Sequence, residues 1–353
     1  MNRIRTAMIG GGIGGFIGEI HRMAMRLDDR FDLVAGALSS ESARALESAT
    51  QLGIRGYESW QELLENEKDT VDCVVIVTPN NSHAEIATSA LELGYHVVLD
   101  KPMTRTLDEA VALAEIASNS NKVFAMTYTY TGYPMIRQMR ARILAGELGT
   151  LRTVSVDYRQ GWLAEPIEKD GQKQASWRTD PKLSGAGALG DIGSHAEQLV
   201  RYTTGLTIKQ VRGDIHSLVD GRRVDDHASV QLKLENGVTG DLVCSQVCTG
   251  ERNHVSIRVW GSKGSFLWSH GQCDELKFTA SNGTETISFC EENRAPSGHP
   301  AGFIEAFANI YRDCASKIQG ENVEVINEKD GLASMKFVNA ALLSKETQAW
   351  SDV

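Results

Sequence analysis

Up to Tyr130 the chain alternates short apolar runs with helical periods, and that rhythm restricts its fold more than any other feature. "IRTAMIG", "FDLVAGAL", "VDCVVIVTP", "HVVLDKP" and "KVFAMTYTY" have the pattern of strands. "IGEIHRMAMRL", "SESARALESATQLG", "GYESWQELLEN", "SHAEIATSALELG" and "TLDEAVALAEIASN" have the pattern of helices between them. "VDCVVIVTP" is apolar at successive positions, as a strand covered on both faces must be. Gly94 stands where a helix closes in the left-handed region. Thr106 and Glu109 have the spacing of a capping box, and Leu107, Ala110, Val111, Ala114 and Ala117 form one apolar stripe. The arrangement that buries all these faces is an α/β fold, a parallel, doubly wound sheet with helices on both sides.

Beyond about residue 150 the rhythm changes. "LRTVSVDYR", "ASVQLKLE", "TGDLVCSQVC", "HVSIRVWG" and "GSFLWSH" are strand-like runs joined by turn signals such as "ENG" and "GSKG". Helical patterns cover "DIGSHAEQLVRYTTG", "FIEAFANIYRDCASKI" and "GLASMKFVNAALLSKE". The expectation is an α+β domain with a large, mostly antiparallel, open-faced sheet. The division is then an α/β domain over 1–127 and an α+β domain over 128–353. The stretch "GWLAEPIEKDGQKQASWRTDPKLSGAGALG" is a long irregular segment, and such loops are frequently functional.

A chain of 353 residues supports two cores. Its formal charge of −10 argues against a nucleic-acid partner. Its apolar runs are far short of the roughly 20 residues that cross a bilayer. The opening "MNRIRTAMIGGG" carries no signal-peptide pattern. The cysteines at 73, 244, 248, 273, 290 and 314 form neither a CxxC pair nor a zinc spacing. A cytoplasmic protein with reduced thiols and no metal is expected.

Four stretches carry chemistry. The first is "IGGGIGGFIGEIH", residues 9–21, between a strand and a helix. Gly10, Gly12 and Gly15 fit GxGxxG, which offers backbone N–H groups and a helix N-terminus to a pyrophosphate. A longer register is also open. In it Gly10 and Gly12 form the tight turn, Ile13, Phe16 and Ile17 lie near the pyrophosphate, and Gly18 packs against the turn. At the end of the second strand Leu38 stands where NAD usually meets an acid. Ser39, Ser40 and Arg44 suit a 2′-phosphate, whereas Glu41 can reach a ribose hydroxyl, so NAD and NADP both remain open. The second stretch is "TPNNSH". Thr78, Pro79 and Asn80 lie at a strand carboxyl end, where open α/β sheets bind ligands, and His83 begins the next helix. The third is "LDKP". Lys101 ends a buried strand and can orient or deprotonate a hydroxyl, with Asp100 before it and Pro102 fixing the backbone after it. The fourth is "GDIGSH". Asp191 and His195 are four residues apart and share a helical face, and a histidine accepts a hydroxyl proton near neutral pH.

Together the glycine turn, "TPNNSH", "DKP" and "WRTDPKLSGAGALGDIGSH" resemble the glucose–fructose oxidoreductase / inositol dehydrogenase / rhizopine catabolism (Gfo/Idh/MocA) family, over essentially the whole chain. The resemblance implies a Rossmann domain binding NAD(P) and an open-sheet domain. Lys101, Asp191 and His195 match the family's catalytic positions. His195 would take a hydroxyl proton while a carbinol hydride moves to the nicotinamide, Lys101 would orient the oxygen, and Asp191 would bind substrate or fix His195. Asp100 stands where the family usually has Glu, and Trp177 and Arg178 match positions near cofactor or substrate. Tyr128, Tyr130, Tyr133, Trp162, Gln174, Arg178 and His299 are candidates for the substrate wall. Lys173 and Arg178 are positioned to favour an anionic sugar. The expected activity is oxidation of a secondary hydroxyl of a sugar, glycoside or cyclitol. An NAD-recycling glycosidase with Tyr128 or Tyr130 as a second base, and a non-catalytic sensor of a dinucleotide or sugar, are the alternatives. By analogy the chain would form a homodimer or homotetramer through the open sheet face.

Overall fold

The computed structural model describes residues 3–296, 299 and 301–353. It divides into two compact units. Unit 1 is Met1–Thr129 with Phe303–Leu332, and unit 2 is Tyr130–Gly302 with Ala333–Val353.

In unit 1 the strands are β1 (Ile4–Gly10), β2 (Phe31–Ala37), β3 (Arg55–Gly56), β4 (Cys73–Val77), β5 (His96–Leu99) and β6 (Phe124–Met126). They form one sheet in the order β3-β2-β1-β4-β5-β6, and every pair is parallel. Helices α1 (Phe16–Leu27), α2 (Ser42–Leu52), α3 (Trp60–Asn66), α4 (His83–Glu92) and α5 (Leu107–Asn119) make the crossovers. β4 is buried at all five positions, as its unbroken apolar run requires. Thr106 and Glu109 form the capping box at the start of α5. The strand order reverses at β1 and β4, whose ends are in register with Gly10 opposite Val77. That reversal opens a crevice at the strand carboxyl ends, so the glycine turn, the β2 end and "TPNNSH" converge there. The run "KVFAMTYTY" yields only the three residues of β6. The Thr127 N–H still donates to Leu99, but Thr129–Gly132 coil into a 3₁₀ turn.

In unit 2 the strands are β7 (Leu151–Arg159), β8 (Ile208–His216), β9 (His227–Leu234), β10 (Thr239–Ser245), β11 (His254–Gly261), β12 (Gly264–Ser269), β13 (Glu275–Ala280) and β14 (Glu285–Phe289). The helices are α6 (Pro134–Leu144), α7 (Lys173–Arg178), α8 (Pro181–Ser184) and α9 (Ser194–Thr204). The chain finishes with α10 (Phe303–Ile318), α11 (Glu328–Thr347) and the short β15 (Ser351–Asp352). The sheet order is β14-β13-β12-β11-β7-β10-β9-β8-β15. All neighbours are antiparallel except β7 and β10. Val154, Val156 and Tyr158 of β7 and Val255, Ile257 and Val259 of β11 are buried on the face that α6 and α9 cover. The opposite face carries Ser155, Asp157, Gln231, Asp241 and Arg258 at partly or fully exposed positions. β8, β13, β14 and β15 escape a reading by apolar pattern because they lie toward the sheet edges, where polar residues are frequent.

α10 belongs to unit 1, although its sequence lies far beyond residue 128. Phe307, Tyr311 and Cys314 share one core with Met8, Ala24, Phe31, Cys73 and Val75. A helical stripe announces that a face will be buried but not against which sheet.

Candidate functional site

The glycine turn is built by close backbone approach. Gly10 and Gly11 have φ of +80° and +67°, a region side chains rarely adopt. A Cβ on Gly10 would lie 2.8 Å from Thr78 Cγ2, and one on Gly12 2.7 Å from the Leu38 oxygen. The tightest approach falls on Gly18, where a Cβ would lie 2.2 Å from the Gly11 oxygen; Gly15 meets nothing nearer than the Gly12 oxygen at 3.0 Å. The packing glycine is therefore Gly18, and Gly15 is the N-cap of α1. The Gly12 N–H donates to Leu38, the Gly15 N–H to Gly12, and the Ile13 N–H to Ser48 Oγ at 3.3 Å. Ile13 thus spends its donor inside the chain. Phe16 and Ile17 open α1, where N–H groups lack intrahelical acceptors, and Gly14 has nothing within 4 Å of its Cβ position. A rim of amides at a helix N-terminus over a glycine-rich turn fits a pyrophosphate.

At the β2 end Leu38 is buried, Ser39 Oγ accepts from the Glu41 N–H at 3.1 Å, and Ser40, Glu41 and Arg44 are exposed. After β4, Thr78 Oγ1 accepts from Ser82 Oγ at 2.8 Å, Pro79 is exposed and Asn80 is buried. His83 is buried, with Nδ1 and Nε2 each 2.9 Å from a backbone oxygen, of Pro102 and Thr78 respectively. It ties the β4 turn to the segment carrying Lys101 and spends both ring nitrogens doing so. Burial lowers its pKa against the pull of those carbonyls.

β5 ends at Leu99, so Lys101 does not end the strand as its run suggested but lies two residues beyond it, after Asp100. Beneath it Asp100 accepts from Thr127 Oγ1 at 2.7 Å and lies 3.9 Å from His21 Nε2, while His21 Nδ1 meets the Tyr311 hydroxyl at 2.6 Å. Burial alone would raise the Asp100 pKa, but His21, Lys101 and the Thr127 hydroxyl hold it well below the usual carboxylate range. A charged Asp100 is thus fixed next to Lys101, and α10 supplies the far end of that chain through Tyr311.

In unit 2, Asp191 lies in a π-helical turn, Leu189–Gly193, that leads into α9. The i,i+4 pair with His195 therefore begins in a wider winding than the α-helix its spacing suggests, and such turns are frequent at functional sites. Asp225 clamps the turn, its carboxylate accepting from the Gly187 and Leu189 N–H groups at 2.8 and 2.6 Å. Asp191 Oδ2 accepts from Gln246 Nε2 at 2.8 Å and lies 3.4 Å from Arg178 Nε. Arg178 also donates to Gln174 Oε1 and stacks on Trp177 at 4.2 Å, and Trp177 Nε1 donates to the same Gln174 oxygen at 3.3 Å. Trp162 Nε1 donates to Gln160 Oε1 at 3.0 Å, an oxygen that Gln246 also reaches at 3.4 Å. Gln174, Trp177, Arg178, Trp162 and Asp191 are thus brought into one polar network.

His195 packs edge-on against Tyr130, centroids 5.2 Å apart, and lies 6.2 Å from Tyr158. Tyr130 donates to the Tyr158 hydroxyl at 2.8 Å and accepts from Asn253 at 3.1 Å. Tyr133 stacks on Tyr130 and meets His270 Nε2 at 3.0 Å. Tyr128, Tyr130 and Tyr133 are buried, 1–2% exposed. Burial pushes Tyr130 up to about 12, which removes it as a base near neutral pH. His299 is exposed and its ring contact is local, to the Pro296 carbonyl. Lys173 is exposed, and Arg178 faces Asp191, which offsets its charge. Tyr158, Gln160, Gln246, Asn253 and His270 escape a reading by motif. They share no local pattern, but the parallel pairing of β7 with β10, with Arg159 opposite both Ser245 and His254, gathers the strand ends that carry or adjoin four of them.

A family model described as an oxidoreductase family with an NAD-binding Rossmann fold matches residues 4–128, and one described as a GFO/IDH/MocA C-terminal domain matches 136–267. The oxidoreductase YfiI of Bacillus subtilis is 32% identical, covering 91% of this chain and 87% of its own length. Levoglucosan dehydrogenase of Pseudarthrobacter phenanthrenivorans is 27% identical, covering 86% of this chain and 83% of its own. The crystal structure of an inositol dehydrogenase homolog from Azotobacter vinelandii complexed with NAD+ superposes with a TM-score of 0.94 at 33% identity, covering 100% of this chain and 98% of that one. No helix among the described residues is long and apolar enough to cross a membrane. Unit 1 is an NAD(P)-binding Rossmann domain, and the chain belongs to the Gfo/Idh/MocA family of oxidoreductases.

Proposed function

We propose that the protein is an NAD(P)-dependent dehydrogenase that oxidises a secondary hydroxyl of a sugar or cyclitol. The observation that carries this reading is the Gln246–Asp191–Arg178 network beside His195, on a chain whose Rossmann domain carries Lys101 two residues beyond the end of β5. When bound, NAD(P)+ accepts the hydride from the substrate carbon. Lys101 orients the hydroxyl oxygen and favours the charge that develops on it as the proton leaves. His195 takes that proton, so the carbon's C–H and the O–H both break and a carbonyl forms. Asp191, its carboxylate fixed by Gln246 and Arg178, binds a neighbouring hydroxyl and keeps the ring in place. The buried tyrosines hold the imidazole of His195 against rotation. Amide side chains and tryptophans dominate the network, and hydroxyl-rich ligands need such donors, acceptors and apolar ring faces.

The test is a panel of neutral sugars, glycosides and inositols with NAD+ or NADP+, followed at the absorbance of the reduced nicotinamide. Turnover on at least one member is expected, and His195→Ala should lower its kcat by about 10²–10⁴ with coenzyme affinity retained. Coenzyme binding without turnover on any polyol would contradict the reading.

A further inference from the structure

Arg22 is used by nothing described above, yet it is one of the most confined charges in unit 1. It lies on α1, a turn after the glycine loop, and is only 6% exposed. Its partners are the Gly11 carbonyl, to which Nη1 donates, and the Met8 sulfur at 3.8 Å. Glu19, the one acid on its helix, is exposed, and its Coulombic pull only partly opposes the burial of Arg22. Burial lowers its pKa, but a guanidinium keeps its proton in proteins at neutral pH. A buried charge without a carboxylate is costly, and the residue sits behind the turn whose outer rim is open.

The contact has a specific geometry. The Gly11 carbonyl and the Gly12 N–H belong to one peptide unit. Arg22 holds the carbonyl end and the Leu38 oxygen holds the N–H end at 3.0 Å. Gly11 and Gly18 meet so closely that neither tolerates a Cβ, so this peptide has little room to flip.

We propose that Arg22 is a positioning residue for the coenzyme's pyrophosphate, turning the Gly11 carbonyl inward and supplying the buried positive charge that an anion on the rim offsets. The role is independent of which substrate the enzyme oxidises.

The test is NADH affinity, by fluorescence titration over a range of salt, for wild type, Arg22→Lys and Arg22→Gln. Lysine keeps the charge, whereas glutamine keeps only a donor. R22K is expected to stay within about threefold of wild type, whereas R22Q weakens binding about tenfold or more and flattens its salt dependence. Inorganic pyrophosphate should displace NADH from the wild-type protein and do so less readily from R22Q. Equal losses in R22K and R22Q with unchanged salt dependence would reduce Arg22 to a packing role and overturn the proposal. So would failure of pyrophosphate to displace NADH from wild type, a measurement that stands even if a variant does not fold.

Discussion

Asp191 is held by two side chains of different kinds, the Gln246 amide and the Arg178 guanidinium, and its proposed role rests on that holding. Gln246 is 2% exposed and its amide fixes one carboxylate oxygen. Gln246→Leu should lower kcat by about tenfold and leave the coenzyme Kd unchanged, as steady-state kinetics and NADH titration would show. Arg222 is a structural counterpart. Its buried guanidinium pairs with Asp226 and Glu168 at 3.1 Å each and donates to the carbonyls of Leu163 and Glu165, pinning the start of the long loop. Arg222→Met leaves Asp226 buried without its cation. A loss of about 3–5 kcal/mol in chemical denaturation is expected. The motif residues Lys101, Asp191 and His195 were legible in the sequence because a short local pattern carries each. Gln246 and Asn253 were not, since only the pairing of β10 and β11 with β7 brings them near Tyr158 and Gln160.

At the scale of elements, turns are fixed by what cannot fit beside them. A Cβ on Gly187 would lie 1.8 Å from the Asp225 oxygen. Gly187→Ala should therefore displace the π-helical turn and cut turnover while NADH still binds, because the coenzyme turn lies in unit 1. Gly18→Ala should cost about 1–3 kcal/mol and weaken coenzyme binding more than Gly15→Ala, measured by thermal melts and NADH titration. Glu67 ends α3 and ties it to β3, accepting from Arg55 Nε at 2.6 Å, Tyr57 at 2.7 Å and the Thr70 hydroxyl. The Arg55 hydrogen bonds, helped by Thr70 and Tyr57 and opposed by burial, bring its pKa from 4.5 to about 2. The folded value is the lower one, so this stabilisation is full above pH 4.5 and is lost as pH falls toward 2. Glu67→Gln should flatten that acid limb in denaturation curves taken across pH, and an unchanged limb would contradict the assignment.

The whole molecule joins an NAD-binding Rossmann sheet to a unit with a second sheet, whose helix α9 carries His195, the proposed proton acceptor. Strand–helix alternation made the first sheet readable almost completely. The second was readable only in part, because its edge strands are polar and its loop residues are ordered by register. The return of α10 to unit 1 was illegible, since Tyr311 finds His21 only through the folded core. The central claim is net transfer of a hydride from a hydroxyl-bearing carbon to the coenzyme, and its most direct measure is stoichiometry. With the best substrate of the panel, reduced nicotinamide and carbonyl product should accumulate one for one, and both should form about 10²–10⁴ times more slowly in His195→Ala. Product release from a glycoside with no accumulation of reduced nicotinamide would contradict the claim and identify redox-neutral bond cleavage instead.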